Sequence, residues 1–341
     1  MSQISTIGLD IAKQVFHVHG ADSLGVPIFS KKIARSKLLS FFASLPTCLV
    51  AMEACGGAHH WGRELARLGH EVRLIPPAYV KPFVKRQKND ALDAEAICEA
   101  AQRPGMRFVT VKTESQQANA LLFKTRDLFV RQRTQIVNAL RGHMAEFGWV
   151  APKGRQHAND LHALIADPAC ELLPAARSML KSMLDALNAL DGQIRELDRE
   201  IARRAREDNI ARRLMTIPGV GPITAVALAA LAPPLEGFAR GRDFAAWLGL
   251  TPRQRSTGGK QRLGSITKMG ERTLRRLLII GSTAVVRQAR LRGTNNNPWL
   301  AQMLARKPPM LVAVALANKM ARIIWAVMTR NEEYRAPAIA A

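Results

Sequence analysis

Four carboxylates in the first third of this 341-residue chain stand where acids are costly unless they bind something. Asp10 closes the apolar TIGLD, Glu53 directly follows the apolar LVAM, and Asp90 and Asp93 lie three apart in NDALDA. If a helix begins near Asn89, the last two share one face of it. Carboxylates held together repel one another, and bound Mg²⁺ or Mn²⁺ removes that penalty. Two such ions about 3.5–4 Å apart can stabilise both the attacking and the leaving oxygen of an in-line displacement at phosphorus. Asp10, Glu53, Asp90 and Asp93 are therefore the candidate metal ligands and catalytic acids. Taken singly, Asp90 also reads as a helix cap and Glu53 as a solvated strand end. Asp22 in a turn-like stretch, Glu64 within a helix and Glu71 before a strand are poorer candidates.

A second constellation is GLTPRQRSTGGK, residues 249–260. Two hydroxyls, Ser256 and Thr257, sit in a glycine-flanked loop. Around it stand Arg253, Arg255, Lys260, Arg262, Lys268, Arg272, Arg275 and Arg276, with only Glu271 opposing them. Flanking glycines let a backbone approach a phosphate closely, and guanidinium groups grip and polarise it. A serine there could attack phosphorus as a covalent nucleophile. An ordinary basic DNA-contacting loop has the same composition. In a third motif, IPGVG at 217–221, the backbone around Gly219 and Gly221 between two helical patterns could bind phosphate in the manner of a helix-hairpin-helix. The same residues would equally make a turn joining two core helices.

The elements that must carry these residues fall into two regimes. Ile4–Ile11 is a short apolar run, Gln14–His19 alternates with period two, and Val26–Ala34 is a third extended segment before the helix-like SKLLSFFASL. A β-rich run Cys48–Met52, a helix over Ala58–Leu68, a strand Glu71–Ile75 and a helix carrying Asp93–Ala101 follow. This order predicts an α/β domain over 1–110 with the mixed sheet of the ribonuclease H class, in which acids of the first and fourth strands meet acids of a later helix.

After Thr113 the pattern is helical. Thr113 and Gln116 form a capping box for a long helix reaching Phe147, with Ala118, Leu121, Leu122, Leu128, Phe129, Ile136 and Leu140 as its apolar stripe. Leu173, Ala176, Leu180, Met183, Leu187, Leu190, Ile194, Leu197 and Ile201 then alternate three and four residues apart, the spacing of a coiled coil. Gly192 interrupts the repeat, and one amphipathic helix packed on its own domain is the other reading. The chain thus divides into the α/β domain, a helical coiled-coil connector over 111–207, a mainly α-helical C-terminal domain over 208–330 and a disordered tail over 331–341.

The formal charge of +23 calls for a polyanionic partner and salt-sensitive binding. A membrane is the competing polyanion, but no lipidation motif or signal peptide is evident, and the most apolar stretch, Met310–Val327, is broken by Asn318, Lys319 and Arg322. The four cysteines form no CxxC pair and all eight histidines precede residue 163, which argues against zinc. His59 and His60 read as surface or nucleic-acid contacts. Unpaired thiols without an export signal fit a reducing cytosol.

The succession GLD, ME-A, ND-x-x-DA, IPGVG and GLTPRQ-ST-GGK-RLG-ITK-G closely resembles the transposases of bacterial insertion sequences of the IS-one-ten family, nearest the IS-eleven-eleven subgroup. The match runs from about residue 4 to about residue 290. The resemblance implies a RuvC-like domain whose DEDD tetrad, Asp10, Glu53, Asp90 and Asp93, binds Mg²⁺, and a C-terminal transposase domain with a serine loop at Ser256-Thr257-Gly258. In that family the serine is thought to attack a DNA strand and form a phosphoserine link, while a noncoding RNA from the element pairs with donor and target DNA.

Some relatives place serine immediately before the loop glycine, where this chain has Thr257. Ser256 is accordingly the expected nucleophile and Thr257 the alternative, its extra methyl restricting the approach. Arg253, Arg255, Lys260, Arg262, Lys268 and Arg275, with Gly219 and Gly221, are the expected nucleic-acid contacts. The expected partners are element-end and target DNA, the guide RNA and further copies of the chain, as a dimer or tetramer in which acids of one protomer face the serine of another. Two rival readings are a metal-dependent junction nuclease that uses water and a non-catalytic nucleic-acid-binding protein. DEDD exonucleases fit less well, because Ala12 stands where they carry a glutamate.

Overall fold

A computed structural model describes residues 3–85, 89–152, 157–167, 169–294 and 297–336. The chain forms two compact units, Met1–Gln117 and Ala118–Ala341. The first contains β1 (Thr6–Asp10), β2 (Val15–Ala21), β3 (Pro27–Ala34), α1 (Leu38–Ala43), β4 (Leu49–Glu53), α2 (Ala58–Arg67), β5 (Glu71–Ile75), α3 (Pro77–Val80) and α4 (Asp90–Ala101). The sheet order is β3-β2-β1-β4-β5, antiparallel from β1 to β3 and parallel from β1 through β4 to β5. The mixed sheet expected from the sequence is therefore present.

Period-two alternation divides this sheet between two cores. Ile7, Leu9, Phe16, Val18, Val50 and Met52 pack with Phe42, Trp61 and Leu65 of α1 and α2. On the opposite face Ala51 and Ile75 pack with Ala96, Ile97 and Ala100 of α4. The residues between the apolar positions, Gly8 and Asp10 on β1 and Glu53 on β4, thus belong to the α4 side.

Gly8 sets how closely α4 approaches. A Cβ at this position would lie 2.1 Å from the carbonyl oxygen of Ala94 and 2.6 Å from the amide nitrogen of Cys98. Both are helix backbone and cannot step aside as a flexible side chain would. Gly8→Ala is expected to lever α4 off the sheet, costing about 3 kcal/mol, toward the upper end of overpacking effects. Urea unfolding measures this loss.

The second unit is helical apart from one hairpin. It continues α5 (Glu114–Glu146) and contains α6 (Ala158–Ala166), α7 (Pro174–Glu207), α8 (Asn209–Leu214), α9 (Pro222–Leu231) and α10 (Gly241–Trp247). The strands β6 (Pro252–Gln254) and β7 (Leu263–Ile266), then α11 (Arg272–Arg292), α12 (Pro298–Arg306) and α13 (Pro309–Arg330), complete it. The capping box of α5 forms in both directions: Gln116 N–H donates to Thr113 Oγ1 at 3.1 Å, and Thr113 N–H donates to Gln116 Oε1 at 3.0 Å.

Helices α5 and α7 run antiparallel. Arg204 donates to Asn119, Arg126 meets Asp198 at 2.5 Å, and Arg133 meets Asp191 at 3.1 Å. Val137, Leu140 and Met144 share a core with Leu180, Leu184 and Leu187, while Ala120 and Phe123 share one with Ile201 and Ala205. Much of the heptad seam of α7 is thus covered within the same chain, and α7 continues through Gly192 without interruption. Leu173, expected in the seam, is the residue before Pro174 at the helix start and is exposed. The segment read as a connector belongs, from Ala118 on, to the second unit.

By length and composition α13 could cross a membrane. Val312, Leu316, Met320, Ile324 and Val327 instead lie in the main core of the second unit. Beyond it, Asn331 accepts from Arg213 at 2.9 Å, and Tyr334 N–H donates to Thr216 Oγ1 at 3.0 Å. The remainder of the expected tail, from residue 337, lies outside the described residues.

Candidate functional site

Three of the four acids converge. Asp10 comes from the end of β1, and Asp90 and Asp93 from the first turn of α4, each offering an oxygen so that all three atoms lie within 4.8 Å of one another. Glu53 ends β4, the parallel neighbour of β1, one residue beyond the Leu9–Met52 pair. It stands outside that 4.8 Å group, but its charge acts on Asp10. Asn89, rather than Asp90, caps α4: its side chain accepts from Ala91 N–H at 3.1 Å. Asp90 is thereby left for other work, and the positive end of the helix dipole favours both α4 carboxylates.

Burial, and after it the charges of Asp93, Asp90 and Glu53, push the Asp10 carboxyl up from 3.8 to about 6, with His17 opposing. A half-buried carboxylate repelled by three others is the environment that a divalent cation relieves, so the donor set fits Mg²⁺ or Mn²⁺. The sign of the pH dependence follows. Folded Asp10 holds its proton to higher pH than the unfolded chain does. Its contribution to stability is therefore full below pH 3.8 and is lost as pH rises through about 6. The rise in Tm caused by Mg²⁺ should accordingly be large at pH 7.5 and shrink toward pH 5, where the proton competes with the cation. Thermal melts with and without Mg²⁺ measure it, and an equal Mg²⁺ effect at both pH values would break the link between Asp10 and the cation.

His17 is not among the residues that the sequence singles out. It pairs with Asp10 across the β1–β2 hairpin, is 7 % exposed, and places Nε2 3.6 Å from Asp90 Oδ2. The alternation of Gln14–His19 was the available signal, because residues directly opposite in an antiparallel pair share a face.

The serine loop is the tip of the β6–β7 hairpin. Thr257 and Lys260 face each other across Gly258 and Gly259, whose φ values of +55° and +76° give a two-residue turn that side chains disfavour. Ser256 Oγ accepts from Arg262 N–H at 3.3 Å, and Arg255 N–H donates to the Arg262 carbonyl at 2.8 Å. Ser256, Thr257, Arg253, Arg255, Lys260, Arg262 and Lys268 are all exposed. The hairpin therefore presents Ser256, Thr257 and four cations to solvent, with Lys268 just beyond it.

Arg275 is placed differently from expectation. It is 8 % exposed, and its guanidinium donates to the carbonyls of Leu248 at 3.0 Å and Met269 at 2.5 Å, one on each leg of the hairpin base. Bonded through Nη1 to these two carbonyls, it clamps the base of the hairpin. Gly219 also has a packing duty: with φ +89°, its added Cβ would meet the Gly281 carbonyl oxygen of α11 at 2.9 Å. Gly221 is exposed, with open space where a Cβ would stand. Pro222 at the start of α9 removes one of the amides that a phosphate would have used.

A mixed sheet with acids converging at one strand end is followed in the chain by a helical unit bearing a basic, hydroxyl-tipped hairpin. Comparison with known proteins supplies the assignment. The family described as "Transposase IS116/IS110/IS902 family" matches residues 211–297, and a second transposase family, named for DEDD and IS110, matches residues 7–148. A "Probable family 20 transposase" of Pseudomonas aeruginosa is 48% identical over 97% of this chain and 99% of its own length. The "Transposase for insertion sequence element IS1328" of Yersinia enterocolitica is 41% identical over 97% and 98%, respectively. The "Transposase for insertion sequence element IS1111A" of Coxiella burnetii is 40% identical over 99% and 93%. The chain belongs to the IS116/IS110/IS902 family of insertion-sequence transposases.

Proposed function

We propose that this protein cuts and rejoins DNA at the ends of an insertion sequence by serine attack on a phosphodiester, with Asp10, Glu53, Asp90 and Asp93 holding Mg²⁺ or Mn²⁺ in a ribonuclease-H-like domain. When bound, the cation supplies positive charge against a phosphate oxygen. His17 holds Asp90 in place, and the first turn of α4 presents both aspartates. Ser256 Oγ forms a bond to phosphorus as the bond from phosphorus to one sugar oxygen breaks. The serine proton is lost, the departing sugar oxygen gains one, and rejoining reverses the exchange. Thr257 is the alternative nucleophile.

Arg253, Arg255, Lys260, Arg262 and Lys268 hold backbone phosphates, a task that carries no sequence information. Specificity is accordingly assigned to base pairing by a noncoding guide RNA from the element. Leu121 and Leu128, seven residues apart on α5 and 61 % and 43 % exposed, support assembly of a dimer or tetramer through that helix. The protein acts in the cytoplasm and needs no membrane.

The observation that carries this reading is the convergence of Asp10, Asp90 and Asp93 within 4.8 Å in a chain of this family. The test is strand cutting of element-end DNA, with the candidate RNA, in Mg²⁺ and in chelator. Cutting is expected only with the cation, and undiminished cutting in chelator would overturn the reading.

A further inference from the structure

The second unit contains a cleft of about 440 Å³ between α10 and α13, whose wall includes Arg240, Gly241, Arg242, Lys319, Arg322 and Trp325. Arg240 stands 3.6 Å from Asp243. Among the described residues, Arg242, Lys319 and Arg322 form no ion pair with a carboxylate. Lys319 lies 4.5 Å from the centre of the Trp299 ring, and burial followed by the Arg322 charge pushes its pKa below the ordinary lysine value. Trp325 has a buried indole N–H for which the described residues supply no acceptor. At Gly241 a Cβ would come within 3.1 Å of the Arg322 carbonyl oxygen, so the glycine keeps the start of α10 close against α13.

The polar interruptions of the apolar C-terminal stretch thereby divide into two kinds. Asn318 is used internally, donating to the Leu250 carbonyl at 3.2 Å. Lys319 and Arg322 serve no internal carboxylate and line the cleft instead. Like charges gathered in a recess focus a positive potential that a polyanion relieves, and the recess also offers an aromatic wall.

We propose that this cleft is a second nucleic-acid site, which grips the backbone phosphates of a strand at a place separate from the β6–β7 hairpin. The inference rests on the reading of the chain as a nucleic-acid-acting enzyme. A free inorganic anion shares the chemistry of a backbone phosphate, and the test separates the two.

The experiment measures the affinity of the full-length chain for labelled DNA duplex and labelled RNA as a function of salt. It compares the wild type, the cleft pair Arg242→Ala with Arg322→Ala, and the hairpin pair Arg253→Ala with Arg255→Ala. Each cation withdrawn from a phosphate lowers the slope of log affinity against log salt by about one, so each double variant should lose about two. The losses should add when the pairs are combined, as separate sites require. The charge-conserving pair Arg242→Lys with Arg322→Lys should keep the wild-type slope, which a folding defect would not permit.

An unchanged slope in the cleft pair, beside a reduced slope in the hairpin pair, would overturn the cleft and leave the proposed function standing. Loss in the cleft pair of thermal stabilisation by inorganic phosphate alone, with nucleic-acid binding unchanged, would also overturn it in favour of a free-anion site. Failure of the wild type to bind either nucleic acid would bring down the underlying reading itself.

Discussion

Asp10→Asn is expected to slow strand cutting by about a thousandfold or more, a loss of about 4 kcal/mol of transition-state stabilisation, while raising the melting temperature of the cation-free protein. The two effects share one cause. The amide keeps the shape of the carboxylate but removes the charge that burial, Asp93, Asp90 and Glu53 all disfavour. Repulsion that weakens the cation-free fold above about pH 6 disappears, and with it the negative charge needed to hold Mg²⁺. An ordinary destabilising substitution loses activity and stability together, so opposite signs identify a site strained for function. Cleavage rates and melts on one preparation of the variant measure both. DNA affinity should change little, since the cations proposed to grip phosphates are elsewhere in the sequence. A variant that cuts as fast as the wild type would remove Asp10 from the chemistry.

Ser256→Ala is expected to reduce strand exchange by about four orders of magnitude or more, the scale seen when a covalent nucleophile is deleted. Thr257→Ala is expected to retain activity within about tenfold. The hairpin holds the two residues differently. Thr257 is engaged at the turn itself, bridged to Lys260 across two glycines of positive φ, and Lys260 N–H donates to its carbonyl at 3.1 Å. Ser256 lies one residue further from the turn, where Arg262 N–H donates to its hydroxyl oxygen. That bond leaves the hydroxyl hydrogen free to depart, as a nucleophile requires. Reversal of the two phenotypes would make Thr257 the nucleophile. Full cutting by both alanine variants would mean that water does the work.

The acids were legible because each obeys a local rule. Asp10 and Glu53 end apolar strands, and Asp90 and Asp93 recur at helical spacing; Asp10, Asp90 and Asp93 meet at the end of β1, with Glu53 on the neighbouring strand. The capping box at Thr113 and Gln116 was likewise local and formed as expected. Gly8 and His17 were harder for a physical reason. What makes Gly8 necessary is the backbone of a helix more than eighty residues later, and what gives His17 a role is the hairpin register that sets it opposite Asp10.

Composition alone does not reveal the packing role of Arg275. Counted as one cation of a basic loop, it turns inward from the first turn of α11 and holds both legs of the hairpin by their carbonyls. Gly219 shows the same limit, since its tight neighbour, Gly281, lies on a helix that local sequence around IPGVG does not mention. The heptads of α7 predicted a packed seam, but not that α5 of the same chain would cover much of it.

In the proposed reaction a serine of the hairpin becomes covalently joined to DNA. The most direct measurement is incubation of the full-length protein with element-end DNA, the candidate RNA and Mg²⁺, followed by denaturation, proteolysis and mapping of any peptide attached to DNA. The expected result is one adduct, on the peptide containing Ser256, absent in Ser256→Ala. Strands cut under these conditions with no protein attached to them would exclude serine attack.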